Sequence, residues 1–224
     1  MKTKFTLILG LAFMVLLPGL LFAGKKEVKF TASEPDAMIY VNNKFVSKGQ
    51  FLVTVLSDAC VIVRVEKPEF LIGTVEFCNK QNVPAPPKTY YLQMEKDDSH
   101  EASEASDVAN IDLEIKNTKS EVEAWKLLSQ IITSYFDVIE VTDKETGYLR
   151  TAWVIQSFKQ RTVRTRIIIK LGSSDPLTYK IKLISEYASG PQISAKSDEL
   201  FREWDRVLRK YREVIREVQT RLGS

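Results

Sequence analysis

The chain has 224 residues, and its 32 Lys and Arg nearly balance its 29 Asp and Glu, leaving a formal charge of +3. So small a surplus gives no global field for nucleic acid. Two Cys and one His are too few for a metal site of the usual Cys/His kind, and the length suits one domain or two small ones.

Residues 1–24 read as a secretory signal peptide. A short basic start, Met1 to Lys4, precedes an apolar run over 5–23 that contains Pro18 and Gly19; Ala23-Gly24 then gives way to Lys25-Lys26. A retained membrane anchor is the alternative, because the run is about long enough to span a bilayer. Without Lys2 and Lys4 the charge falls from +3 to +1. No Cys follows the run, so lipid attachment there is not expected. The expected location is the periplasm or cell envelope, with the mature chain soluble or peripheral.

Residues 25–94 read as all β. Six short runs rich in Val, Ile, Phe and Tyr (27–32, 37–41, 51–56, 60–66, 71–77 and 89–95) are separated by turn signals. Pro84, Pro86 and Pro87 cannot sit in a sheet centre. A hairpin turn centred on Glu69 puts Cys60 directly opposite Cys78. An exported chain allows a disulfide there, and a pair of adjacent free thiols is the alternative. The stretch from Pro35 and Ala37 through Ile39-Tyr40-Val41-Asn42 to Val46, followed by alternating strands and "VRVEKPEF", resembles a PEGA-type domain. Asn43 stands where that family has Gly, and Asn also tolerates positive φ. The resemblance implies a small envelope-associated β-sandwich that binds or spaces and carries no catalytic residues.

Residues 95–110 hold six acids among Ser and Ala with one large apolar residue, Val108. The composition predicts a flexible acidic linker. The one His, His100, falls within it.

Residues 111–224 read as α+β in the order β-α-β-β-β-β-α, an antiparallel sheet with helices on one face. Thr118-x-x-Glu121 matches a capping box. Val122, Trp125, Leu128, Ile131, Ile132 and Tyr135 follow at helical spacing. Strands are expected at 138–142, 148–157, 162–171 and 177–187, then one long helix over 197–222. The layout, with Trp125, the "VTDKETGYL" hairpin and Trp153, resembles the helix-grip domains of outer-membrane barrel-assembly accessory lipoproteins. That resemblance implies a fold and no activity.

No nucleophile elbow, HExxH, P-loop or GxGxxG occurs, so no catalytic residues and no cofactor are expected. Asp137, Asp143 and Glu145 would be the carboxylates of a hydrolase, and near hairpin turns such acids are commonly turn formers. Strand alternation puts Leu149, Trp153, Ile155, Val163, Ile167, Ile169, Leu171, Tyr179, Ile181 and Leu183 on a core face. It puts Arg150, Arg164, Arg166, Lys170, Lys180 and Lys182 on the other, with Glu186. That face is either a solvated sheet surface or a site for an anionic partner: an envelope protein, an acidic glycan or a lipid headgroup. The acidic linker could also fold back onto it. Val214, Val218 and Leu222 at the end of the last helix could meet a partner helix or a second copy. An apolar-ligand pocket between Trp125, Trp153 and Trp204 is a further alternative. Among Tyr40, Phe45, Phe51, Phe70, Tyr90 and Tyr91, a sugar platform would use Phe45 and Phe70, which sit in turns.

Overall fold

The computed structural model describes residues 24–223. All but the last residue of the expected signal peptide lies outside them. The described chain is mostly β, in several sheets, with no barrel. Among the described residues no helix is long and apolar enough to cross a membrane.

The N-terminal strands are β1 (Lys26–Ala32), β2 (Met38–Val41), β3 (Lys44–Lys48), β4 (Gln50–Val55), β5 (Cys60–Glu66), β6 (Gly73–Cys78) and β7 (Thr89–Leu92). They form a three-stranded sheet, β4-β1-β7, and a four-stranded sheet, β3-β2-β5-β6. Every second residue turns inward. Val28, Phe30, Val53 and Val55 from one sheet meet Ile39, Val61, Val63, Val65 and Phe77 from the other in one core. The composition of 25–94 shows six of these seven strands. The missed one, β3, is a polar edge strand reached by the Asn42-Asn43 turn, where both residues have positive φ (47° and 66°). Cys60 pairs with Cys78 across the β5–β6 ladder, and the two are disulfide-bonded.

Next come α1 (Asp98–Glu101), β8 (Ser103–Ala105), β9 (Leu113–Lys116), α2 (Glu121–Tyr135), β10 (Ile139–Asp143), β11 (Tyr148–Thr151), β12 (Val154–Ser157), β13 (Arg161–Ser174) and β14 (Leu177–Ser189). The chain ends with β15 (Arg202–Glu203), β16 (Arg206–Leu208) and α3 (Val214–Gly223). A seven-stranded sheet runs β10-β11-β13-β14-β15, with β12 also on β13 and β9 also on β14. Helices α2 and α3 pack on it. Leu128, Ile131, Ile132, Phe136, Val214, Ile215 and Val218 meet Leu149, Val163, Ile167, Ile169, Ile181 and Leu183. The cap of α2 is Ser120, two residues later than the sequence match at Thr118. Ser120 accepts from the Glu123 amide, and the Glu123 carboxylate accepts from Ser120.

Two expectations fail together. The acidic stretch 95–110 is not a free linker, and 197–222 is not one helix. Each supplies the other's backbone partners. Arg206, Val207 and Leu208 pair with Ala105, Glu104 and Ser103, while Arg202 and Glu203 pair with the β14 edge at Tyr187 and Glu186. Asn110 fixes the crossing: its side chain donates to Ser185 O and Trp204 O (3.0 and 2.8 Å) and accepts from Ser185 N (2.9 Å). Arg206 donates to Ser103 Oγ and to the carbonyls of His100 and Ser103. The open edge of β14 offers backbone groups that outweigh local helix preference, a tertiary override of a weak prior. Phe201, Trp204, Val207, Leu208 and Tyr211 are buried along this path, while Leu200 is exposed.

Candidate functional site

The outer face of β13 and β14 carries the basic residues that alternation placed there. Their environments are far from equal.

Arg164 is not available to a partner. It is 4% exposed. Its Nε donates to Glu186 (2.7 Å), and its Nη1 donates to Asp198 (2.5 Å) and to Ala195 O (2.7 Å). Its guanidinium lies over the rings of Trp153 (4.2 Å) and Phe201 (4.1 Å). The segment after β14 lies across this end of the sheet and turns a surface Arg into a buried ion pair. Arg150 is paired with Glu140 (3.1 Å). Lys182 has Asp112 at 3.8 Å.

Arg166, Lys170 and Lys180 remain. Among the described residues none of them has a carboxylate within ion-pairing distance. Lys170 and Lys180 are exposed and sit directly across the β13–β14 ladder from one another. Arg166 is half-buried over Trp153 (4.0 Å), and its Nε is buried without an acceptor. Burial, with Arg150 adding to it, holds the Arg166 guanidinium below its ordinary value. Ile168 and Ile184 lie half-buried between these cations. The result is a face of mixed apolar and cationic character, densest at the hairpin end. The acidic stretch 95–110 does not cover it. Glu95 contacts Lys159, Asp97 contacts Arg161 (3.5 Å), and Glu104 contacts Arg212 (3.7 Å).

Trp153 and Ile155 lie on this outer face, not on the core face. In β11, Arg150 pairs with Ile168; in β12, Val154 pairs with Thr165. A continuous strand would have set Val154 against Arg164. One extra residue enters between the two strands, and a one-residue slip exchanges the faces. Thr151 Oγ1 accepts the Ile167 amide at 3.1 Å where the ladder is broken. The Ala152-Trp153 pair gave no turn signal from which this slip could be read.

The other expected sites disperse. Trp204 is buried in the core, Trp125 packs at its edge, and Trp153 is on the far face of the sheet. They enclose no common pocket, and the sheet–helix interface between them is filled. Val214, Val218 and Leu222 are each 0% exposed, held against α2 and β9 rather than presented to a partner helix. Asp143 accepts from the amides of Glu145 (3.0 Å) and Thr146 (3.2 Å), a turn-forming role. Its bonds with Thr146 hold its carboxyl low. The other acids with a clear shift, Asp36, Glu95, Glu123 and Glu217, also move down. A general acid needs the opposite. Phe70 is partly buried under Lys67 and Lys96, whereas Phe45 and Tyr91 are exposed, on different strands.

No protein-family model matches the chain, and no curated protein matches it.

Proposed function

We propose that this is a non-catalytic binding or scaffolding protein of the bacterial cell envelope. It holds an anionic partner on the outer face of the β13–β14 hairpin through Arg166, Lys170 and Lys180, with Lys182 at the rim. One observation carries the reading: Lys170 and Lys180 face each other across the ladder with no acid between them. Like charges directly opposite weaken a sheet, and Glu114, across the β9 ladder from Lys180 and not ion-paired with it, offsets this on one side only. An anion between them would turn the repulsion into two attractions. The disulfide accords with an oxidising compartment, and the PEGA resemblance with an envelope role. Two separate cores support a two-domain arrangement, with Gln160 joining the halves through a two-way amide pair to Ile72 (2.9 Å each way).

A heparin column supplies a polyanion probe. Lys170→Glu/Lys180→Glu is compared with Lys44→Glu/Lys80→Glu, which changes net charge equally at two exposed lysines of the N-terminal half. The proposal expects the first variant to elute at clearly lower salt and the second to elute close to the unmodified protein. Equal shifts would reject the hairpin as the site.

A further inference from the structure

The solvent side of the four-stranded sheet gathers three ligand-type groups, the two cysteines and Glu76. On β5, Val61, Val63 and Val65 enter the core, so Cys60 and Ile62 face outward; on β6, Phe77 enters and Glu76 and Cys78 face outward. Cys60 lies opposite Cys78, and Ile62 lies opposite Glu76. The two sulfurs and a Glu76 carboxylate oxygen therefore lie within 4.8 Å of one another. Both cysteines are half-buried and Glu76 is exposed. An attacking thiolate can reach the bond, and opening it leaves the apolar interior in place.

We propose that reduction of Cys60–Cys78 converts this spot into a binding site for a thiophilic divalent cation of the Zn2+ type. The two thiolates and the Glu76 carboxylate are the ligands, and water takes the fourth position. A dithiol reductant opens the bond. One of its thiolates attacks a cysteine sulfur and releases the other cysteine as a thiolate. Its second thiolate then attacks the mixed disulfide and releases the first. Two electrons pass to the cysteine pair, and the reductant leaves as a disulfide. Binding the cation displaces the thiol protons to solvent. Two sulfurs on one tetrahedral ion, each at about 2.3 Å, sit about 3.8 Å apart. Side chains on strand positions whose Cα atoms are 4.1 Å apart reach that spacing by rotation about χ1. Two soft ligands and one hard one suit Zn2+ better than Ca2+ or Mg2+.

The test titrates the purified protein with Co2+, before and after reduction with a phosphine. The oxidised protein should show no sulfur-to-metal bands. The reduced protein should bind one equivalent with those bands, release it to Zn2+, and gain thermal stability from either ion. Glu76→Gln should weaken binding about tenfold or more, since loss of even an outer ligand partner costs 10- to 100-fold. Cys60→Ser/Cys78→Ser, checked for its β circular dichroism, should not bind. Equal binding by the oxidised protein, unchanged affinity in Glu76→Gln, or equal affinity of the reduced chain in urea would overturn the proposal. So would loss of β structure on reduction that the ion does not restore.

Discussion

The two halves of the chain obey the same alternation of strand side chains, but they use their outer faces differently. In the N-terminal half both sheets are short, and their outward residues stay where alternation leaves them. Tyr91, Leu52, Ile62 and Phe45 are exposed. In the C-terminal half the outer face of one long hairpin is divided. The end near Arg164 is roofed by 195–201 and neutralised; the end near Lys170 and Lys180 is open, and the acid opposite Lys180, Glu114 on β9, forms no ion pair with it. Alternation fixes which way a side chain points. What later covers it is decided by chain that arrives from elsewhere.

The contrast can be broken at several points. The strongest effect is expected at Leu222, which the sequence offers as a partner contact and the fold buries completely. Leu222→Ala should cost about 3 kcal/mol in urea unfolding, as buried Leu truncations do, with no change in mass in solution. A small loss of stability together with a change in oligomeric state would restore the partner-helix reading.

Arg164→Met should cost about 3 kcal/mol, the lower end for breaking a buried ion pair, because Asp198 is itself well exposed. Polyanion binding should be retained. Loss of binding without loss of stability would move the site to the roofed end.

Tyr211 gives a pH test of the same packed core. It is 3% exposed and stacks on Phe136 with ring centres 4.7 Å apart. Burial pushes its hydroxyl from 10.0 up to about 12. A phenol whose folded value is raised stabilises the fold fully below pH 10, and the contribution is lost as pH rises from 10 to 12. Two pH units correspond to about 2.7 kcal/mol. Denaturation midpoints across that window should fall, and Tyr211→Phe should flatten the fall.

Smaller still, Ser120→Ala should cost about 1 kcal/mol by removing the α2 cap. Thr118→Ala measures the register read from sequence. Its hydroxyl donates to Leu222 O (3.1 Å) while Ser120 caps α2, so a larger loss at Thr118 than at Ser120 would reverse the cap assignment.

Much of the fold was legible because it rests on local pattern. Cys60 and Cys78 face each other because the hairpin between them is regular. Lys170 and Lys180 do so because the turn at Asp175-Pro176 lies midway between them. The parts that were not legible depend on distant chain. Residues 103–105 and 206–208 become strands only by pairing with one another, and each alone reads as coil or helix. Trp153 changes face through a single inserted residue with no turn chemistry to mark it. Arg164 loses its place in the candidate site because Asp198 and Phe201, more than thirty residues later, fold over it.

Lys180→Thr tests the central claim most directly, because it removes one member of the facing pair while keeping strand propensity. If the pair is held for binding against the interest of the fold, this variant should unfold at higher urea, by roughly 0.2–1 kcal/mol, and elute from heparin at lower salt. A variant no more stable than the unmodified protein, with heparin affinity unchanged, would contradict the account.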